Sequence, residues 1–221
     1  MDTMMNKRSL IKSLCGGLLA VGLGALMSVS ARAADTTAPD QLIRQLSLDI
    51  LETLKSDKSI QGGDVGKIIT LVDTKVMPHV NFQHMTSSAV GRFWRQATPE
   101  QQQKLQDEFK TLLMRTYAGA LTQVRDQTVA LKPLRAPADA TDVVVKTEIR
   151  GSGDPIQLDY RLEKLDGGWK IYDVSVLGIW LADQYRNSFA QEIGANGIDG
   201  LIKALADKNK KALAAPAKKA A

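Results

Sequence analysis

The chain has 221 residues and a formal net charge of +5 at neutral pH, and its basic excess is concentrated at the two ends. Between those ends acidic residues slightly outnumber basic ones, so bulk charge gives no reason to expect a nucleic-acid partner. The single cysteine is Cys15. The chain beyond it therefore has no disulfide, no thiol nucleophile and no thiolate metal site, and its stability must come from a hydrophobic core.

Residues 1–33 have the layout of a secretory signal peptide. Lys7, Arg8 and Lys12 precede a glycine-containing apolar run at 14–29. An Ala-Arg-Ala motif, which suits a signal peptidase, ends at Ala33. Because the run is short for a membrane span, we expect cleavage after Ala33 and export of a soluble protein rather than a retained anchor.

Helical periodicity predicts that residues 40–126 are mainly helical. Apolar residues recur at helical spacing from Asp40 to Lys55. A second helix can be capped by Asp64 and should end near Pro78, because proline disfavours helix at the residue before it. A short helix at Thr86 to Gly91 leads into a longer one.

The longer helix has the clearest start signal in the chain. Thr98 is a favourable N-cap, Pro99 suits the first helical position and Gln101 can complete a capping box. From Leu105 to Val124 apolar residues recur at steps of three and four, with polar residues on the other side. On periodicity alone, such a stripe is typical of ordinary core packing.

The pattern changes to the two-residue alternation of β-strands over residues 128–176. Strands are predicted at Thr128 to Leu134, Asp142 to Arg150, Ile156 to Leu165 and Trp169 to Val176. Short turns rich in Gly, Pro and Asp favour an antiparallel meander. The alternation predicts that one sheet face is apolar and the other is polar and solvent-exposed. Helices followed by strands indicate an α+β fold.

After the strands the pattern returns to helix at residues 180–205, with an interruption expected around Gly194 and Gly197. Residues 206–221 form a basic tail rich in Ala and Lys. We interpret it as a solvated helix end, with weak attraction to anionic membrane surfaces as the alternative.

The sequence offers few candidates for catalysis. His79 and His84 are spaced five apart without flanking carboxylates, which makes a poor metal pair, and we expect no metal site. There is no nucleophile elbow, phosphate loop or dinucleotide fingerprint. Asp159 and Asp173 with Tyr160 could supply a base and an acid in an apolar pocket, but structural roles are the preferred interpretation.

Two blocks of the sequence combine tryptophans, the Thr98 cap and a Tyr-Arg-x-x-Phe helix at characteristic separations. Their residues are Gly91, Arg92, Trp94, Arg95, Ala97, Thr98, Pro99, Gln101, Phe109, Leu112, Leu113, Arg115, Thr116, Tyr117 and Leu121, then Trp169, Tyr172, Asp173, Val174, Gly178, Leu181, Tyr185, Arg186 and Phe189. With the leader and the helices-then-strands order, they resemble the MlaC family of periplasmic phospholipid carriers, also called the Ttg2D or toluene-tolerance family.

The resemblance implies an NTF2-like curved antiparallel sheet of about four strands, combined with a helical subdomain in one domain at residues 34–205. It implies an apolar cavity for phospholipid acyl chains, with the headgroup facing solvent, and a monomer without cofactor or catalysis. It also implies transfer of phospholipid between an outer-membrane lipoprotein–porin complex and an inner-membrane ABC transporter complex with an MCE-type subunit, which maintains outer-membrane lipid asymmetry.

The chain departs from the family pattern near the expected cavity mouth. Where the family usually has Gly-Val-Ser-Leu, this chain has Gly178, Ile179, Trp180 and Leu181, and Leu177 replaces a common acidic residue. Because Trp180 is large, we expect it to affect the shape of the cavity entrance and the way partners dock there.

Candidate lipid-contacting residues are the aromatic and aliphatic ones on faces expected to line the cavity. They are Phe93, Trp94, Phe109, Leu113, Tyr117, Val143, Val145, Leu158, Tyr160, Trp169, Val174, Val176, Ile179, Tyr185 and Phe189. Three alternatives stay open: an NTF2-like enzyme acting on an apolar small molecule, a carrier of another lipid such as a hopanoid, and a non-binding adaptor with a closed core.

Overall fold

The computed structural model describes residues 37–214, so the predicted leader and the last seven residues of the predicted tail lie outside the described residues. The α-helices are α1 (Pro39–Ser56), α2 (Lys58–Gln61), α3 (Val65–Leu71), α4 (Phe82–Val90), α5 (Pro99–Leu121) and α6 (Leu181–Ala214). The strands are β1 (Thr128–Leu131), β2 (Asp142–Arg150), β3 (Ile156–Leu165), β4 (Gly168–Val176) and β5 (Ile179–Trp180).

The predicted capping box starts α5 as expected. The Gln101 backbone N–H donates to Thr98 Oγ1 at 3.2 Å, and the Thr98 N–H donates to Gln101 Oε1 at 3.0 Å. Two orphan donors at the helix start are thereby satisfied, which confirms the prediction and fixes where α5 begins.

Two earlier helices differ from their predicted bounds. Asp64 caps α3 as predicted, but α3 passes into a π-helical turn at Val72–Val76 before the chain leaves the helix. The helix α4 begins at Phe82, four residues before the predicted start. Its N-cap is Asn81, whose side chain accepts the His84 N–H, a cap that the sequence-based boundary overlooked.

The sheet is an antiparallel meander in the order β1-β2-β3-β4-β5, which confirms the predicted α+β class and topology. It has five strands rather than about four. The strand that prediction missed is β5, whose two residues the pattern assigned to a loop and to the following helix. The edge strand β1 ends at Leu131, before the predicted Leu134, and Pro133 lies between these positions.

One sheet face packs against α1. The other face is predicted to be solvent-exposed, but parts of it are buried. Val143, Val145 and Leu162 are buried on the first face beside Leu42 of α1. On the second face Asp159 is 6% exposed and Asp173 is 1% exposed. The start of α6 covers part of that face, because the Ala182 N–H donates to Asp173 Oδ1 at 3.2 Å.

The last helix differs from its prediction at both ends. Trp180 belongs to β5, and α6 continues to Ala214 rather than ending at Leu205. Its one non-helical residue in the described range is Gly197, with φ 72° and ψ −179°, so the expected interruption lies there. Beyond residue 205, Asn209 is buried and its Nδ2 donates to Glu108 of α5.

The interior of the described part is divided into three groups of buried side chains. A helical core joins α4, α5 and α6, a sheet core joins α1 to β2, β3 and β4, and a smaller core lies around Leu54, Ile60 and Ile68. Val80 and Val174 pack against both the helical core and the sheet core. These two residues are therefore where the helical half meets the sheet.

Candidate functional site

The helical core is built around Phe109. Its ring centroid lies 5.1 Å from that of Tyr185 and 5.3 Å from that of Phe189, and both pairs meet edge to face. Phe82 completes the aromatic group at 5.9 Å. The predicted site residues in or against this core are Phe93, Trp94, Phe109, Leu113, Val174, Tyr185 and Phe189.

The sheet core holds a second subset of the predicted site residues. They are Val143, Val145, Tyr160 and Trp169, packed with α1. Val145 pairs with Tyr160 across β2 and β3, and Tyr160 pairs with Val174 across β3 and β4. Because paired residues share a sheet face, this row leads from the sheet core to Val174, where the helical core begins.

A second row on the same sheet face is less buried. Thr147 pairs with Leu158, Leu158 with Val176, and Val176 with Ile179. Leu158 and Val176 are half-buried, and Ile179 is 58% exposed. This row, which we call the half-buried row (Leu158, Val176, Ile179), therefore runs from the interior to the surface.

Burial acts on two of the predicted tyrosines, one in the sheet and one on α5. Burial raises the pKa of Tyr160, although hydrogen bonds with Thr147 of β2 and Ser47 of α1 oppose that rise. On α5, burial raises the pKa of Tyr117, and the neighbouring Tyr185 adds to the effect. The Tyr160 hydroxyl thus lies between β2 and α1, with Thr147 and Ser47 as its hydrogen-bond partners.

Fourteen of the fifteen predicted residues lie in or against the helical core, in the sheet core or in the half-buried row, and Tyr117 is half-buried on α5. Two surface cavities adjoin α1: one of about 260 Å³ includes Leu42 and Leu46, and an open groove of about 520 Å³ includes Leu48, Leu51 and Val129 of β1. Neither is lined by a predicted site residue. Both adjoin the apolar stripe of α1, which the sequence predicts as a helix face but whose residues are not among the candidate lipid-contacting ones.

The carboxylates considered for catalysis are separated from Tyr160 by the sheet. Asp159 and Asp173 lie on the face opposite Tyr160, so the structure does not assemble the acid and base that the enzyme alternative requires. Burial raises the pKa of Asp173, although N–H donors of Ala182 and Val174 and the nearby Arg161 oppose the rise. Asp173 thus joins β4, β3 and the start of α6.

His84 lies in a polar contact on the outside of the sheet. Its Nδ1 is 3.0 Å from Glu163 Oε1, and its ring stacks on Tyr172 with centroids 4.3 Å apart. Asn81 Nδ2 donates to the same Glu163 oxygen at 2.7 Å. Across residues 37–214, no group of three or more His, Cys, Asp or Glu side chains is placed to hold a metal ion.

Comparison with known families decides the relationship. The family model of the MlaC protein matches residues 44–207. The chain belongs to the MlaC family. Among curated relatives of this MlaC-family chain, the toluene tolerance protein ttg2D of Pseudomonas putida is 27% identical over 186 residues, which cover 83% of this chain and 84% of the relative.

A second curated relative and a solved structure agree with this assignment. The intermembrane phospholipid transport system binding protein MlaC of Haemophilus influenzae is 24% identical over 178 residues, covering 79% of this chain and 83% of the relative. A phospholipid-binding protein from Ralstonia solanacearum, solved in complex with a phospholipid, superimposes with a TM-score of 0.78 at 47% identity, covering 80% of this chain and 99% of that one. The resemblance found in the sequence is confirmed.

No helix of this MlaC-family chain within residues 37–214 is both long enough and apolar enough to cross a membrane.

Proposed function

We propose that this MlaC-family protein is a periplasmic phospholipid carrier that holds acyl chains in an apolar cleft and performs no catalysis. The observation that carries the proposal is the phospholipid complex of the Ralstonia solanacearum protein, which shares 47% identity and the fold with nearly its whole chain matched.

The half-buried row supports the position of the cleft. Protein interiors are packed as tightly as organic crystals, so apolar side chains left half-buried beside a closed core form a surface that can accept a ligand. Leu158 and Val176, paired across β3 and β4, are the half-buried members of that surface on the sheet. The open groove between α1 and β1 adds the apolar side chains of Leu48, Leu51 and Val129, together with polar ones such as Glu52 and Lys55.

The energetics suit a carrier that must release its cargo. Removing an acyl chain of about 15 methylenes from water is worth on the order of 12 kcal/mol, at ~0.8 kcal/mol per methylene. A bilayer offers the same chain nearly the same free energy. Because the two nearly balance, lipid can leave the cleft, and the direction of transfer must come from partners or from ATP used elsewhere.

The partners in this proposal are those of the family. Lipid would be exchanged with an outer-membrane lipoprotein–porin complex and with an inner-membrane ABC transporter complex that has an MCE-type subunit, and lipid asymmetry of the outer membrane would be maintained. A monomer suffices, since each chain would carry its own cleft. The predicted signal peptide at residues 1–33 is consistent with this location.

A pair of matched variants tests the cleft. Leu158→Glu places a carboxylate in the half-buried row, whereas Val144→Glu places one on the opposite face of the adjacent strand, where Val144 is 37% exposed. Because a buried charge is strongly disfavoured, we expect Leu158→Glu to lower uptake of a fluorescent phospholipid from vesicles by roughly tenfold or more, with Val144→Glu close to wild type. Equal uptake by both folded variants would place the lipid elsewhere.

A further inference from the structure

The turn between β4 and β5 has an unusual residue in a constrained position. Val176 pairs with Ile179, so Leu177 and Gly178 form a two-residue hairpin loop. Their φ angles are 52° and 85°, and such loops normally place Asn, Asp or Gly at positions with positive φ. Leu177 is the one non-glycine residue with positive φ in the described range, which makes an aliphatic side chain here costly for the backbone.

The same turn carries strongly exposed aliphatic side chains. Leu177 is 64% exposed and Ile179 is 58% exposed, the two highest values among the large hydrophobic residues that the structure describes. Ile156, 45% exposed, starts β3 beside them, since the Leu177 N–H donates to the carbonyl of Gln157 at 2.9 Å. We call Ile156, Leu177 and Ile179 the apolar tip.

The turn borders open space at Gly178, and the apolar tip is continuous with the half-buried row. A methyl group built on Gly178 would meet no atom within 4 Å. Ile179 is also the outer member of the half-buried row, paired with Val176. An acyl chain that enters or leaves the row at its exposed end would therefore pass the tip.

The chemistry of the tip fits a lipid surface better than a protein partner. Its three side chains are aliphatic, whereas protein hot spots favour Trp, Tyr and Arg, and a standard protein interface needs about 800 Å² on each side. The nearby cations are already paired: Arg150 with Glu148, and Arg161 with Asp173. A small, protruding, uncharged tip is suited to the acyl boundary of a bilayer.

We propose that the apolar tip inserts into the membrane surface and brings the open end of the half-buried row to the bilayer. The inference rests on the proposed carrier function. It assigns to the tip a role in the rate of lipid exchange, while the interior cleft sets how much lipid is held.

Contact can be measured with a fluorophore, because the chain's single cysteine lies in the predicted leader. Leu177→Cys and Leu165→Cys are labelled with an environment-sensitive dye on the full processed protein. Leu165 is 44% exposed at the opposite end of the sheet and serves as the matched control. When vesicles of phosphatidylethanolamine and phosphatidylglycerol are added, we expect the dye emission to shift to the blue at position 177 but not at position 165. Removing the vesicles by centrifugation should abolish this blue shift. A shift caused by lipid held in the cleft would instead remain, because that lipid stays with the protein.

Rate and capacity are separated by a second variant. Asn tolerates positive φ, so Leu177→Asn combined with Ile156→Thr removes apolar surface without straining the turn further. We expect phospholipid uptake from the same vesicles to slow by roughly tenfold, with the final amount of bound lipid unchanged and with Leu165→Asn behaving as wild type.

If the wild type takes up no lipid, the carrier function fails. If the wild type does and the double variant matches its rate, or if the dye responds equally at 165, the tip proposal alone is overturned.

Discussion

The guanidinium carbon of Arg161 lies 3.9 Å from the ring centroid of Trp180. Trp180 pairs with Ser175, which is buried on the sheet face opposite the half-buried row, and Arg161 Nη1 also contacts Asp173 Oδ2 at 3.1 Å. The tryptophan by which this chain departs from the family pattern is thus fixed to the outer face of the sheet. The neighbouring Ile179 lies on the other sheet face, that of the half-buried row.

The stacked pair should contribute measurably to stability. We expect Trp180→Ala to lower the free energy of unfolding by about 1–2 kcal/mol, because a cation–π contact and the packing of a large ring are both lost. Trp180→Phe should lose less, since it keeps a ring beneath the guanidinium. Urea unfolding at pH 7 of Trp180→Ala, Arg161→Met and the double variant gives the coupling, expected at about 0.5–1 kcal/mol. Additive effects would mean that the contact contributes no energy.

Two glycines of α6 should respond to alanine with opposite signs. Gly194 is helical and an added Cβ would meet no atom within 4 Å, so Gly194→Ala should raise the free energy of unfolding by about 0.5–1 kcal/mol. Gly197 has φ 72° and ψ −179°, a region open essentially to glycine alone, so Gly197→Ala should lower it by about 1–3 kcal/mol. Thermal unfolding of the two variants checks this. Stabilisation by both would show that α6 runs straight through residue 197.

The start of α5 should depend on the Thr98 side chain. Thr98→Ala removes the oxygen that accepts the Gln101 N–H, and we expect a loss of about 1 kcal/mol in the free energy of unfolding. Thr98→Ser keeps that oxygen and should stay within about 0.3 kcal/mol of wild type. Denaturant unfolding distinguishes the two. A similar loss in both variants would attribute the effect to the threonine methyl group rather than to the cap.

Tyr172 should give the protein a pH dependence in the alkaline range. Burial and its hydrogen bond to Asp142 at 2.7 Å raise the pKa of Tyr172 from 10.0 to about 12. Since the folded pKa is raised, the stabilisation is complete below about pH 10 and is lost as the pH rises towards about 12.

Phenolate absorbance measures this titration directly. The difference between wild type and Tyr172→Phe isolates one of the four tyrosines. We expect a midpoint near 12 in wild type, and a midpoint shifted back towards 10.0 in Asp142→Asn, where the acceptor has no charge. A midpoint near 10.0 in wild type would mean that the phenol is hydrated and does not hold the Asp142 contact.

Much of the fold follows from local signals that tertiary contacts did not override. The Thr98 cap and the strands Asp142–Arg150 and Ile156–Leu165 lie where the sequence predicts them, because capping chemistry and two-residue alternation are local properties. The strand β5 escaped prediction because it has only two residues and its turn carries Leu177 where Asn or Gly is expected.

The candidate site was less predictable, for a physical reason. Periodicity identifies a face that is buried, but a face that packs against protein and a face that would contact lipid have the same period. Phe109 and Val145 are closed core in this structure, whereas Leu158 and Val176 are half-buried, and all four carry the same kind of signal in the sequence. The distinction depends on how α1 and the helical half meet the sheet, which is set by contacts distant in sequence such as those of Val80 and Val174.

Native mass spectrometry of the gently purified, processed protein, followed by organic extraction and identification of the lipid, tests the central claim most directly. The carrier account predicts a population heavier than the polypeptide by the mass of a phospholipid, and an extract that contains that phospholipid. An extract dominated by a hopanoid would assign the cleft to a different cargo. Only the mass of the bare polypeptide, together with no uptake from phospholipid vesicles, would contradict the carrier function.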